Sequence, residues 1–374
     1  MAEQVISPDL AFVKEIIANG GESLKKCYQC ATCSVVCNVT PESTPFPRKE
    51  MILAQWGQKD KLFSSPDIWL CHQCSDCTAY CPRGAKPGEV LGAIRKMTIK
   101  KYSAPSFLAA MAGDSRYLIL LFLIPVLILL GVVAHQGTLS EVPRGAEGNI
   151  VYSEFIPIHF SEYGIDLVFT AAAIFASVSF VFGVRKYWAD LSKGVVMKKD
   201  LSGSIKETIA EILAHRRFKK CTVTAARSTS HLLVFYAFIG LAITTSWAVV
   251  YLYLAGRPSP YPLYDPLKIV GNVSALALFT GITLVMLNRV KNTEKAGKGG
   301  YFDWLFIVVI YAIAATGILS EVFRLADIGV LAYPTYFIHL VFVLFLIAYA
   351  PFSKMAHMVY RATAMVFAKE AARE

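Results

Sequence analysis

The chain is short of charge. Asp, Glu, Lys and Arg make up only 17% of its 374 residues, while 55% are hydrophobic; an ordinary soluble domain carries about 25% charged residues. That balance excludes a conventional soluble protein, and the apolar excess lies almost entirely after residue 116. Period-two alternation of apolar and polar residues is also missing, which excludes a sheet-based fold and leaves an all-α chain. There is no low-complexity tract, and no internal repeat beyond one duplicated cysteine pattern. No cleavable signal opens the chain, since Met1 to Leu10 is polar and broken by Pro8. The cysteines that follow are therefore expected on the reducing, cytoplasmic side.

What is present is concentrated. Eight of the nine cysteines fall between residues 27 and 81, in two runs of identical spacing. These are Cys27, Cys30, Cys33 and Cys37, and Cys71, Cys74, Cys77 and Cys81, the last followed by Pro82. This is the spacing of thiolates around cubane [4Fe–4S] clusters. Three close cysteines wrap three corners of one cube, and the fourth lies too far along to close it. The expected ligand sets are crossed: Cys27, Cys30, Cys33 with Cys81, and Cys71, Cys74, Cys77 with Cys37. Structural zinc sites pair two close cysteines with a distant pair, and disulfides need an oxidising compartment, so both alternatives fit poorly. His72 and Asp76, inside the second run, read as solvated or cluster-tuning neighbours rather than ligands.

Around the cysteines the sequence reads as short helices. Ser7-Pro8-Asp9 is a start signal with Ser7 as cap, and Asn19-Gly20 a stop. Arg48 to Trp56 reads helical, Ser65-Pro66-Asp67 starts a helix into Cys71, and Pro87 to Lys100 carries Val90, Leu91, Ile94 and Met97 on one face. Ser103 to Ser106 reads as the linker that closes a head domain at residues 1–105.

The second domain, 106–374, holds six stretches long enough to span a bilayer, which takes about 20 apolar residues each. They are Tyr117–Ala134, Ile165–Val184, Ser230–Ala255, Leu267–Leu287, Trp304–Phe323 and Leu331–Phe352. The connections at 185–228 and 289–300 are crowded with Lys and Arg, whereas the opposite ones hold little more than Arg144, Arg257 and Arg324. By the positive-inside rule both termini are cytoplasmic. The formal net charge of +10 is thus a topology signal and not a nucleic-acid footprint. In the large basic connection, Ile205, Ile209, Ile212 and Leu213 recur at helical spacing, as in an amphipathic helix on the membrane surface; docking of a partner protein is the alternative. Cys221 needs no role.

Ligating residues within spans are functional candidates. His339 lies in the last span and His357 just past it, 18 residues on. On one continuous helix that is about five turns, or about 27 Å along one face, which suits two stacked b-type haems. His231, opening the third span level with His357, would complete the inner haem. The outer one, on His339, needs His159 or His135 from the far side; His159 is favoured because it sits in an apolar run. The alternative for both is an interfacial residue. His215 reads as a surface residue. Glu141, Glu162 and Asp166, on the outer side, are candidate acceptors of quinol protons, or else solvated loop residues.

Two ferredoxin-type cysteine runs followed by a six-span, histidine-bearing membrane part resemble the C-type membrane subunits of quinone-interacting membrane-bound oxidoreductase (Qmo) complexes. That family fuses a head similar to the C-type subunit of heterodisulfide reductase to a membrane part similar to the E-type subunit of the same enzyme and to the cytochrome b of respiratory nitrate reductase. The resemblance covers nearly the whole chain. It implies an all-α fold, a helical ferredoxin with two [4Fe–4S] clusters joined to a di-haem cytochrome b in the inner (cytoplasmic) membrane. It also implies electron transfer from menaquinol through haem b and the clusters to soluble flavin and iron–sulfur subunits, and through them to adenylylsulfate reductase. Two departures stand out. The second ligand expected about ten residues after His231 falls at Leu241, and Asn38 stands where a proline would follow Cys37. A heterodisulfide- or sulfite-linked respiratory subunit, or a haem-free membrane anchor, are the rival readings.

Overall fold

The computed structural model describes residues 7–139, 143–159, 164–217, 220, 226–292 and 299–373. It is all helical, with no strand among the described residues. The head contains α1 (Leu10–Ala18), α2 (Thr32–Val35), α3 (Arg48–Gln55), α4 (Lys59–Phe63), α5 (Asp67–Leu70), α6 (Asp76–Ala79) and α7 (Pro87–Tyr102), after which α8 (Ser106–Ala112) packs into the bundle. Then follow α9 (Leu118–Gln136), α10 (Tyr152–Phe155), α11 (Ile165–Ser192), α12 (Leu201–Ala214), α13 (Ala226–Tyr253), α14 (Pro266–Lys291), α15 (Tyr301–Leu325), α16 (Gly329–Tyr349) and α17 (His357–Glu370). Six helices are long and apolar enough to cross a membrane: α9, α11, α13, α14, α15 and α16. Each coincides with an expected span.

Local signals account for the head helices. The cap of α1 is Asp9, not Ser7: its carboxylate accepts from the Phe12 amide at 2.9 Å, so the helix starts two residues later than a Ser7 cap would place it. Gly20, at φ +111° just after Asn19, ends it. On α7 the expected stripe is buried: Val90, Leu91, Ile94 and Met97 are all at most 4% exposed. The Ser103–Ser106 connection is no loose linker, because Ser103 is buried and its hydroxyl donates to the carbonyls of Ile99 and Pro351.

The division at residue 105 is one of sequence, not of packing. The head core, with Phe12, Met51, Trp69, Leu91 and Ile94, continues through Tyr187 and Leu191 of α11 into Tyr360, Ala364 and Phe367 of α17. Trp69 stacks on Tyr360 with ring centroids 5.5 Å apart, an arrangement that adds about 0.5–1.5 kcal/mol to plain burial. Tyr102 donates to Asp190 at 2.7 Å, and Arg373 pairs with the buried Asp67 at 3.0 Å. The C-terminal helix thus leaves the bundle and completes the head.

The last span does not run on to His357. Pro351 and Ser353 interrupt it with two short 3-10 turns, and a new helix begins at His357. The five-turn relation expected between His339 and His357 therefore fails, since proline cannot continue the hydrogen-bond ladder. At the end of the bundle away from the head, cations are matched by acids: Arg144 with Asp327 (2.8 Å), Arg257 with Asp265 (3.0 Å), and Lys268 and Arg324 with Glu321 (2.5 and 3.3 Å).

Candidate cofactor-binding site

The two cysteine runs fold alike. In each, the residue two places after the first cysteine (Gln29, Gln73) and the one after the second (Ala31, Ser75) have positive φ, between 52° and 71°. The Gln29 and Gln73 amides donate to the Cys27 and Cys71 sulfurs, both at 3.4 Å, and a four-residue helix (α2, α6) follows each run's left-handed turn. The turn carries the chain tightly from one thiol to the next. No disulfide joins the eight cysteines.

Burial pushes the Cys33 thiol up to about 11, and the neighbouring Cys27, Cys30 and Cys81 raise it further. Burial likewise holds Cys37 up at about 12, with Cys71 and Cys74 adding to the effect. Each run's fourth cysteine thus neighbours the other run's thiols. Exposure differs between the runs: Cys30 is exposed, Cys71 and Cys77 are buried.

Beside the second run lies a cavity of about 340 Å³, within the range of small-molecule and cofactor sites. His231 and His357 both line it, together with apolar Val234, Phe238, Ile282 and Phe306. His72 and Gln73, from the loop between Cys71 and Cys74, form its wall toward the head. Three arginines fix that loop. Arg95 donates to the carbonyls of Ile68 (2.7 Å) and Cys71 (3.1 Å), Arg227 of α13 donates to the Gln73 carbonyl (2.7 Å), and Arg361 of α17 pairs with the His72 ring. The cavity is basic at this end, with Arg217 and Lys354 also on its wall.

Two of the histidines set Nδ1 against a backbone carbonyl. His357 sets Nδ1 2.6 Å from the Lys354 carbonyl. A carbonyl only accepts, so Nδ1 carries the proton and Nε2 keeps its lone pair. Burial holds the His357 pKa down at about 3, which keeps the ring neutral. His339 likewise sets Nδ1 3.1 Å from the Ile313 carbonyl. Such an Nδ1–H bond is the usual support of a metal-ligating histidine.

The structure brings some expected residues together and leaves others apart. His231 and His357 share the cavity. His215, expected at the surface, is instead only 7% exposed and lines the same cavity, with Nε2 3.4 Å from His231 Nδ1. The signal for it in the sequence is its place at the C-terminal end of an amphipathic helix. His72 and Asp76 are not solvated: Asp76 is buried and His72 faces the cavity. Halfway along α16, His339 meets Ile313 and Thr316 of α15, with Gly317 alongside. His159 is exposed and edge-on to Tyr253 (5.8 Å), and His135 is exposed in the last turn of α9. His339 lies ten residues into α16, about 15 Å from the start of that helix. Leu241 packs in an apolar cluster with Ala237 and Leu278. At the inner cavity two imidazoles, His231 and His357, would hold a haem; at His339 the contacts among the described residues include no second imidazole. Asp166 accepts from Tyr253 at 2.6 Å; Glu141, Glu162 and Cys221 lie outside the described residues.

A membrane-type helical bundle with a double cysteine-run head defines the class, and comparison with known proteins sharpens it. Residues 23–85 match the family model described as a 4Fe-4S dicluster domain, so the head is an iron–sulfur domain. The chain is 36% identical over 100 residues to the C-type subunit of the H(2):CoB-CoM heterodisulfide,ferredoxin reductase of Methanothermobacter marburgensis, covering 26% of this chain and 54% of that one. It is 35% identical over 96 residues to an Archaeoglobus profundus protein described as like the C-type subunit of heterodisulfide reductase, covering 25% and 51%. The chain therefore spans about half the length of these relatives, through its N-terminal region. Citrate utilization protein B of Escherichia coli is 24% identical over 362 residues, 92% of this chain and 89% of that one. No solved structure matches.

Proposed function

We propose that this chain is a membrane electron-transfer subunit that carries electrons between a quinol and soluble partner proteins. The observation that supports it best is continuity: one wall of the His231–His357 cavity is the Cys71–Cys74 loop of the iron–sulfur head. In this reading His231 and His357 hold a b-type haem, which supplies one-electron chemistry between quinol and clusters. Arg217 and Lys354 offer charge to its carboxylates, and Phe238, Ile282 and Phe306 exclude water from its face. Cys27, Cys30, Cys33 and Cys81 hold one [4Fe–4S] cluster, and Cys71, Cys74, Cys77 and Cys37 the other. The second cluster, beside the cavity, exchanges electrons with the membrane part; the first, at exposed Cys30, faces the partner. No step is assigned to an outer haem on His339.

The donor in this reading is menaquinol, which releases two protons and two electrons as it becomes the quinone. The acceptors are soluble flavin and iron–sulfur subunits and, through them, adenylylsulfate reductase in sulfate respiration. The chain sits in the inner membrane with the head and both termini cytoplasmic. A second reading is favoured by the full-length similarity to citrate utilization protein B: the same electron route serves a partner enzyme of citrate use. Anaerobic addition of menadiol to the purified chain in detergent tests the route. The haem bands are expected to sharpen to the reduced form, followed by the paramagnetic signals of reduced clusters. A chain without haem absorbance, or clusters that stay oxidised when the haem is reduced, would overturn it. Proteins co-purifying with the chain distinguish the two partner readings.

A further inference from the structure

Besides His72 on its head-side wall, the cavity is lined by another imidazole that no ligand role uses, His215. His215 closes α12 in a left-handed conformation, at φ +49°, and this turn swings its ring off the membrane-facing helix toward α13. The ring is 7% exposed, packs edge-on to Phe235 at 4.7 Å, and lies 5.4 Å centroid to centroid from His231. Its two nitrogens have different neighbours. Nδ1 faces the Leu213 carbonyl at 3.5 Å, and Nε2 faces His231 Nδ1 at 3.4 Å. The Leu213 carbonyl is itself fixed by the Tyr236 hydroxyl at 2.6 Å.

Proton accounting sets the direction of these hydrogen bonds. A carbonyl only accepts, so His215 Nδ1 carries the hydrogen and Nε2 has the lone pair. His231 Nδ1 is then the donor, which places that ring's lone pair on Nε2. We infer that His215 is a positioning residue that accepts a hydrogen bond from His231 Nδ1, fixing this ligand's tautomer and making it a stronger donor to haem iron. The inference rests on the haem reading above. The two ligands are thereby supported differently: His357 by the Lys354 carbonyl at 2.6 Å, His231 by a neutral imidazole. It also gives α12 a purpose. One face of that helix, Leu201, Ile205, Ile209 and Leu213, is exposed and apolar, while Ser204 and Thr208 are buried and Glu211 pairs with Lys369 of α17. The helix is held against α17 at the place where its C-cap residue, His215, meets the proposed haem ligand.

A partner that strengthens an imidazole ligand favours ferric over ferrous haem, and such partners are worth about 10-fold or more in metal affinity. His215→Phe in the full-length chain removes the acceptor and keeps a ring in the space. The haem content per chain and the bis-imidazole spectrum are expected to stay as in the wild type. The midpoint potential of the haem is expected to rise by about 59 mV, the one-electron equivalent of a tenfold change. His215→Gln, whose side-chain carbonyl accepts from His231 Nδ1, is expected to return most of the way. If the Phe variant fails to accumulate in membranes, His215→Ala reads the same quantity. An unchanged potential in the Phe or Ala variant overturns the inference, as does an equal shift in the Gln variant. Haem loss in all of them overturns it too, by making His215 a ligand or a packing residue. A wild-type chain without haem would instead remove the haem reading, and this inference with it.

Discussion

Arg95→Ala is expected to loosen one cluster and spare the other. Arg95 reaches from α7 to the carbonyls of Ile68 and Cys71, at 2.7 and 3.1 Å, and so clamps the loop that begins at Cys71. Each is a charge-assisted bond of about 1.5–3 kcal/mol, and removal leaves two carbonyls beside buried side chains without this donor. Because the two bonds share one side chain, the combined loss is set at about 3 kcal/mol rather than their sum. Every 1.4 kcal/mol is tenfold, so local opening of residues 68–74 becomes about a hundredfold more frequent. The assay is anaerobic iron release to a chelator, with the two clusters followed separately by their paramagnetic spectra. The cluster of Cys71, Cys74, Cys77 and Cys37 is expected to be lost first and faster than in the wild type. Arg95→Lys, with a point charge in place of a fork, is expected to recover part of the difference. Equal release from both clusters, or release at the wild-type rate, would refute the reasoning.

Cys81→Ser is expected to damage the cluster of Cys27, Cys30 and Cys33, although Cys81 belongs to the other run; spectra resolving the two clusters check this, and damage confined to the Cys71 cluster would exclude crossed ligation. A reporter active only outside the cytoplasm is expected to work when fused near Gly148 and to be silent near Lys199 or after Glu374; activity at Lys199 would reverse the orientation. Glu50 is fully buried, and burial raises its pKa from 4.5 to about 7, with Lys49 opposing and Asp67 adding to the rise. An acid raised on folding binds its proton more tightly in the native state. Its stabilising contribution is therefore complete below about pH 4.5 and lost as pH rises through about 7, some 3 kcal/mol in all. Glu50→Gln is expected to flatten that dependence and to raise the melting midpoint above pH 7; an unchanged pH profile would contradict the assignment.

Much of this architecture is legible in the sequence, for identifiable reasons. Each span announces itself by composition over its own length, and the cysteine runs by spacing that few other cofactors share. What is not legible depends on contacts distant in sequence. The end of the last span at Phe352 is legible; what the sequence does not show is that two 3-10 turns at Pro351 and Ser353 separate it from a new helix at His357, and the His339–His357 relation fails with that break. Tyr360, Ala364, Phe367 and Ala368 follow a helical period, but their partner face, Trp69 and Tyr187, comes only from the folded head. His215 reads as one polar residue in a basic loop, because nothing local shows that a left-handed turn carries its ring to His231. Leu241 stands where the resemblance expects a ligand, and its side chain packs among apolar neighbours between α13 and α14.

The most direct test of the central claim is the reduced visible spectrum of the purified chain, with haem counted per chain, in the wild type and in His231→Ala, His357→Ala and the double variant. If the cavity beside the second cysteine run holds one haem between these two histidines, each single variant loses the same haem bands. The double variant then looks like either single one, since one missing ligand already breaks a bis-histidine site. A full wild-type haem spectrum after His231→Ala, or different residual spectra in the two single variants, would contradict the account.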